Sequence, residues 1–292
     1  MVSSMVEDGG KRVLRKSAPA VLLPARVPFG LSAALAVVAI AGAGSSLFVP
    51  SLLTGVAAAN GNLRGTALIM LCAGVPALIA AMTLTARGSA RGLVLWLGSL
   101  GYLTYQAVMF CFATPLNNLF LLYVAQLGLA FWSLVVLLRH TDLGGFGSRI
   151  SPMMPAKWIS GIAAAIVVLN ATAWLMRIIP AVFSAEPASL LVGSGLLTNP
   201  VYVQDLAIWL PVFAVAAVAG WQRRTWGLLV IGGMLVMTFL ESIGIAVDQW
   251  FGSMADPYSP ISSLTMTPVF AALAVAVAAP LLWYLRNLDR IL

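Results

Sequence analysis

Charged residues are scarce in this chain. Only 9% of its 292 residues are Asp, Glu, Lys or Arg, and 61% are hydrophobic. A typical soluble domain is about 25% charged, so this chain has too little polar surface to cover a water-soluble fold. The composition excludes a separate soluble domain and predicts an all-α, polytopic membrane helix bundle whose main partner is the lipid bilayer.

Residues that build catalytic and metal sites are also rare. The chain has one histidine, His140, and two cysteines, Cys72 and Cys111, which are not spaced as CxxC. A metal centre would need further His or Cys ligands, and a redox pair would need the closer spacing. P-loop, GxSxG, HExxH and glycine-rich dinucleotide motifs are missing as well. We therefore expect no cofactor and no metal, and a non-enzyme is favoured over an enzyme.

Apolar runs long enough to cross about 30 Å of hydrocarbon predict about eight transmembrane helices. The runs lie at about 29–49, 66–86, 92–113, 119–138, 158–178, 201–221, 226–249 and 264–285. The predicted organisation is a basic tail over 1–27, a first four-helix half over 28–140, a linker over 141–157 and a second four-helix half over 158–292.

The basic residues indicate the orientation of the chain. Of the 16 lysines and arginines, all except Arg64 and Arg177 fall before the first span or after an even-numbered span. The positive-inside rule then places both termini, the basic tail and the linker in the cytoplasm. The net charge of +7 is thereby explained by topology, and we expect no nucleic-acid partner.

An internal repeat is predicted by sliding the sequence on itself by 135 residues. The aligned pairs are Pro76 with Pro211, Ala81 with Ala216, Gly92 with Gly227, Gly98 with Gly233 and Gln106 with Glu241. Each half begins inside and has an even number of spans, so the halves are parallel. Repeat-built membrane proteins usually place their sites between the halves. The paired prolines either kink their helices or reflect the general frequency of proline in membrane spans.

Three acids fall at membrane depth, where an ionisable group costs several kcal/mol unless it is paired or hydrated. Glu241 lies in the outer third of the seventh span, and Gln106 lies at the same depth in the matching third span. Asp248 follows Glu241 by seven residues and shares its helical face, while Asp205 opens the sixth span. We expect Glu241 and Gln106 to belong to a functional site.

Further polar residues are predicted near the same outer level. Arg177 is the potential counter-charge of Asp205, Glu241 or Asp248, and it shares a helical face with Asn170. With these residues, the side chains expected to line an outward-facing, acidic ligand pocket are Asn117, Asn118, Tyr102, Tyr105 and Tyr202. The alternative is that Asp205 and Asp248 cap helix ends and that Asn117 only forms a turn.

A family resemblance is carried by three stretches, GYLTYQAVMFCFATPLNNLFLLYVAQLGL (101–129), LLTNPVYVQDLAIWLP (196–211) and the turn RRTWG. Together they resemble a family of uncharacterised, polytopic bacterial integral membrane proteins. The resemblance implies membrane location and span count but no reaction. Its bacterial character agrees with the Ala, Val and Leu bias of a high-GC genome, so we expect the bacterial cytoplasmic (inner) membrane.

The sequence is compatible with three candidate functions. The first is binding or transport of a small or amphipathic molecule through the outward polar pocket, with Glu241 as the titrating group. The second is a non-catalytic subunit or assembly factor whose polar face contacts a partner membrane protein. The third is a membrane-embedded enzyme that acts on a lipid with Glu241 or Asp248 as acid or base.

Overall fold

The computed structural model describes residues 22, 25–184 and 191–289, and this part of the chain contains no β-strand. Eight of its helices are long and apolar enough to cross a membrane: α1 (Val27–Phe48), α2 (Ala57–Ala86), α3 (Ala90–Phe112), α4 (Phe120–His140), α5 (Ala156–Val182), α6 (Pro200–Trp221), α7 (Thr225–Ala255) and α8 (Met266–Arg286). These helices confirm the all-α class and the number of spans. Most of the predicted tail over 1–27 lies outside the described residues.

The second span is longer than the hydropathy pattern predicts. It begins at Ala57 rather than at residue 66, so Arg64 lies within a helix and not in a loop. Close packing on α7 supports this polar first part: a Cβ on Gly61 would lie 2.9 Å from the Cα of Gly252. One turn later, a Cβ on Gly65 would lie 2.9 Å from the Cα of Asp248. Small residues four apart allow such a close approach of two membrane helices.

Helices α3 and α7 form the centre of the bundle. Their apolar windows are 83% and 67% buried, whereas that of α5 is only 6% buried. Helix α7 packs against α2, α3, α6 and α8, and α3 packs against α2 and α4 as well. Helix α5 packs mainly on α6 and therefore lies at the edge of the bundle.

Two spans contain a π-helical turn at corresponding positions. The turns cover Met70–Gly74 in α2 and Asp205–Trp209 in α6, which are offset by 135 residues. Two residues after each turn stands a proline, Pro76 or Pro211. Proline lacks an amide hydrogen, and the wider π turn accommodates the interrupted hydrogen-bond ladder.

The connections that follow these two spans also correspond. Gly88 and Arg223 both adopt positive φ angles, of 81° and 57°, at the turn into the next helix. A Cβ on Gly92 would lie 2.6 Å from the Cβ of Leu84, and one on Gly227 would lie 2.5 Å from the Cβ of Ala219. Both glycines are therefore needed because the next helix starts against the end of the previous one.

The start of α3 is capped by a residue from beyond α8. The Asp289 carboxylate accepts hydrogen bonds from the Ser89 hydroxyl (2.8 Å) and the Ala90 amide (3.0 Å). It also lies 3.7 Å from the Arg149 guanidinium, while Ile150 and Leu288 form an isolated β-bridge. A carboxylate is favourable at a helix N-terminus. This contact joins α3, the segment after α8 and the segment between α4 and α5.

The close contact between α3 and α7 gives a direct test of the packing. A Cβ on Gly98 would lie 2.6 Å from the carbonyl oxygen of Gly233, whereas no atom lies within 4 Å of one on Gly128. We expect Gly98→Ala to lower the free energy of unfolding by about 1–3 kcal/mol through overpacking. Gly128→Ala should leave it unchanged or raise it slightly through helix propensity. Denaturation of the purified protein in detergent measures both, and equal effects would contradict the packing.

Candidate functional site

Gln106 and Glu241 are in direct contact at the centre of the bundle. The Gln106 Nε2 donates a hydrogen bond of 2.8 Å to Glu241 Oε2, which joins α3 to α7. Gln106 is only 3% exposed, and Glu241 is partly buried. A neutral amide donor satisfies one carboxyl oxygen of Glu241, and no arginine or lysine of the described residues forms an ion pair with it.

Two buried tyrosines of α3 lie beside this pair. Tyr102 precedes Gln106 by one helical turn on the same face of α3, and Tyr105 is the residue directly before Gln106. Within the described residues, the Tyr102 hydroxyl is buried without a hydrogen-bond partner. A Cβ on Gly244 of α7 would lie 3.6 Å from this hydroxyl. The Tyr105 ring lies 6.4 Å from the ring of Trp209 in α6. Two aromatic side chains of α3 thus lie next to the pair, and one of them is close to an aromatic ring of α6.

Asp248 lies where α2 crosses α7. The Thr66 hydroxyl donates to Asp248 Oδ2 at 3.0 Å, and Asp248 Oδ1 is buried without a partner among the described residues. With its side-chain amide turned to satisfy its neighbours, Asn62 also donates to the Asp248 carbonyl oxygen at 2.8 Å. Helix α7 continues to Ala255, so Asp248 does not cap its end. Arg64 lies next to Gly65, and its Nε is buried without a partner in the same part of the structure.

Asp205 faces the edge helix α5. The indole Nε1 of Trp174 donates to Asp205 Oδ2 at 2.8 Å, and the Trp174 ring packs against the Tyr202 ring with centroids 4.8 Å apart and a tilt of 56°. Asp205 begins the π turn of α6, and Asn199 caps the start of that helix through a 2.9 Å bond to the Val201 amide. The alternative that Asp205 caps a helix end is therefore wrong.

The other residues predicted for the pocket do not join these three acids. Arg177 is exposed on α5 and forms no ion pair with Asp205, Glu241 or Asp248, because Arg149–Asp289 is the only ion pair between described residues. The predicted counter-charge is thus not in place. Asn170 donates to the Ile166 carbonyl of its own helix at 2.9 Å. Asn117 accepts a 2.9 Å bond from the Leu119 amide and forms a local turn.

Two cavities lie elsewhere in the described part of the chain. One, of about 540 Å³, lies between α5 and α6 and is lined by residues such as Ile178, Tyr202 and Leu206. The other, of about 560 Å³, lies between α1 and α2. Glu241, Gln106 and the other two acids line neither of them. Each of the three acids is instead held by a hydrogen bond to a side chain of a neighbouring helix.

The chemistry of these acids follows from their surroundings. Among the described residues, no three His, Cys, Asp or Glu side chains lie close enough to hold a metal ion. Cys72 and Cys111 are both free. A carboxyl group inside the membrane that lacks a basic partner can carry a proton or bind a small cation, and such groups mark proton relays and ion pathways.

No family model matches the chain, and neither a curated protein nor a solved structure is significantly similar to it. The family resemblance of the sequence stays an expectation.

Sequence reasoning missed the partners of two acids, Thr66 for Asp248 and Trp174 for Asp205. A signal for the first existed in the run GNLRGT (61–66), where two glycines four apart precede a hydroxyl residue. Such spacing indicates a close helix contact. No comparable signal identified Trp174, because tryptophans at span ends are expected at the lipid interface in any case.

The contribution of the Gln106–Glu241 hydrogen bond to stability can be tested by removing its donor and by exchanging the two residues. Gln106→Leu removes the donor, and we expect it to lower the free energy of unfolding by about 1–3 kcal/mol because a buried carboxyl oxygen loses its partner. The double variant Gln106→Glu/Glu241→Gln exchanges donor and acceptor and should regain most of this loss. Thermal unfolding of the purified variants measures both changes. A double variant no more stable than Gln106→Leu would show that the hydrogen bond does not stabilise the bundle.

Proposed function

We propose that this chain binds or transports a small cation, a proton or an amphipathic cationic molecule, with Glu241 as the binding group and Gln106 as its hydrogen-bond partner. The single observation that carries the proposal is the Gln106–Glu241 contact at the centre of the two most buried spans. A carboxyl group at this depth that no basic side chain neutralises is costly as an anion. Binding a proton or a cationic ligand removes this cost. Exchange between the two is the basis of coupled transport.

The proposed architecture is two parallel four-helix repeats, with both termini in the cytoplasm and the chain in the inner membrane of a bacterium. The matching π turns Met70–Gly74 and Asp205–Trp209 support the repeat, as do the matching positive φ angles at Gly88 and Arg223. The distribution of basic residues supports the orientation. On this arrangement the Gln106–Glu241 bond lies at the interface of the halves, where repeat-built transporters bind their substrates.

A second candidate is a non-catalytic subunit or assembly factor. It is favoured by the dense packing between α3 and α7, where Gly98 lies against Gly233, and by the exposed edge helix α5. A lipid-modifying enzyme that uses Glu241 or Asp248 is the third possibility. It has less support because neither acid lines the cavity between α5 and α6 or the one between α1 and α2.

Ligand-dependent stabilisation tests the first function. The purified protein is heated with Na⁺, K⁺ or tetraphenylphosphonium at acidic and alkaline pH, and a bound cation should raise the melting temperature by mass action. Glu241→Gln should abolish this rise because the amide cannot pair with a cation. Asp256→Asn is the matched control, since Asp256 follows the end of α7.

Stabilisation of Glu241→Gln equal to that of the parent protein across pH would exclude Glu241 as the binding group. Co-purification of a stoichiometric membrane partner, together with no cation effect on the parent protein, would favour the subunit function instead.

A further inference from the structure

The cavity of about 560 Å³ between α1 and α2 has the form of a lengthwise groove. Its walls are one apolar stripe of each helix: Phe29, Ala33, Ala36, Val37 and Ile40 from α1, and Ile79, Met82, Thr83 and Ala86 from α2. The α1 stripe rises for about 16 Å along the helix axis. The Thr83 hydroxyl donates to the Ile79 carbonyl oxygen of its own helix, so it offers no free hydrogen-bond donor to the groove. The groove therefore suits an extended apolar chain.

Two arginines flank the end of this groove. Arg26 is the residue that precedes α1, three positions before Phe29, and Arg87 directly follows Ala86 at the end of α2. Both are exposed, and neither forms an ion pair with any described residue. The neighbouring Arg91 differs, because its Nε and Nη2 both donate to the Leu288 carbonyl oxygen.

The positions of the two arginines continue the stripes of the groove. Arg87 follows Thr83 by four residues, and Arg26 precedes Ala33 by seven, which are both spacings of one helical face. Two cationic groups thus lie at the polar end of an apolar channel that runs into the hydrocarbon. This charge arrangement is complementary to a lipid with a negative headgroup.

We propose that the groove between α1 and α2 is a binding site for an anionic phospholipid, with one acyl chain along the groove and the phosphate between Arg26 and Arg87. The occupant comes from the bilayer because the groove is open to lipid: Val37, Ile40 and Ile79 are 67%, 47% and 50% exposed. Its volume lies within the range of about 300–1,000 Å³ that is usual for ligand sites. The site is separate from the Gln106–Glu241 pair and does not depend on its function.

Native mass spectrometry of the purified protein with phosphatidylglycerol or phosphatidylcholine of equal acyl chains tests the headgroup. The parent protein should retain phosphatidylglycerol in preference. Arg26→Gln and Arg87→Gln should each weaken this binding about fivefold, and together about 25-fold, with little effect on phosphatidylcholine. Arg224→Gln is the matched control, since Arg224 is an exposed arginine directly before α7 and does not line the groove.

The acyl-chain part is tested by filling the groove. Ala33→Trp should reduce the binding of both lipids. Ala34→Trp should not, because Ala34 is also exposed on α1 but does not line the groove. If Ala33→Trp lowers the melting temperature, Ala33→Leu replaces it. Equal retention of the two lipids by the parent protein would overturn the proposal, as would a double variant of Arg26 and Arg87 that behaves like Arg224→Gln. Glycerol phosphate that binds as tightly as phosphatidylglycerol would also overturn it, because the site would then recognise phosphate alone.

Discussion

The whole bundle depends on how helices attract one another in lipid. Acyl chains are as apolar as leucine side chains, so burying apolar surface between two spans yields little of the driving force that it yields in water. Close van der Waals contact and hydrogen bonds must replace it. The structure shows both where α3 meets α7: Gly98 brings the backbones together, and further along, Gln106 bonds to Glu241. The same combination recurs between α2 and α7, where Gly65 lies against Asp248 and Thr66 bonds to its carboxyl.

Because few hydrogen bonds hold the helices together, the contacts that stabilise the bundle are also those of the candidate functional residues. Each of the three acids in the spans is bonded to a different helix: Glu241 to α3, Asp248 to α2 and Asp205 to α5. None of these partners is positively charged, so the bonds hold the helices without neutralising the acids. Glu241 differs from the other two because it lies between the two most buried spans. A change in its charge would act on the contact that holds the centre of the bundle.

Much of the fold could be predicted from the sequence, because length and apolarity alone decide which segments can cross a bilayer. The offset of 135 residues also selected Gln106 and Glu241, which the structure joins by a hydrogen bond. The start of α2 could not be predicted, since Asn60, Asn62 and Arg64 lower its hydropathy while glycine packing supports it. Nor could the exposed position of Arg177 be deduced, because depth in the membrane does not specify which face of a helix a residue lies on.

The π turns bear on the history of the chain. A π turn holds one residue more than an α-helical turn, so the insertion of one residue into a helix can produce it. Met70–Gly74 and Asp205–Trp209 share only one identical residue among their five matched positions, Leu71 with Leu206, yet they occupy the same place in α2 and α6. If the halves are copies, a single insertion before the gene duplicated accounts for both turns. On that account the π turns are older than the duplication, and they were kept while most of the side chains around them changed.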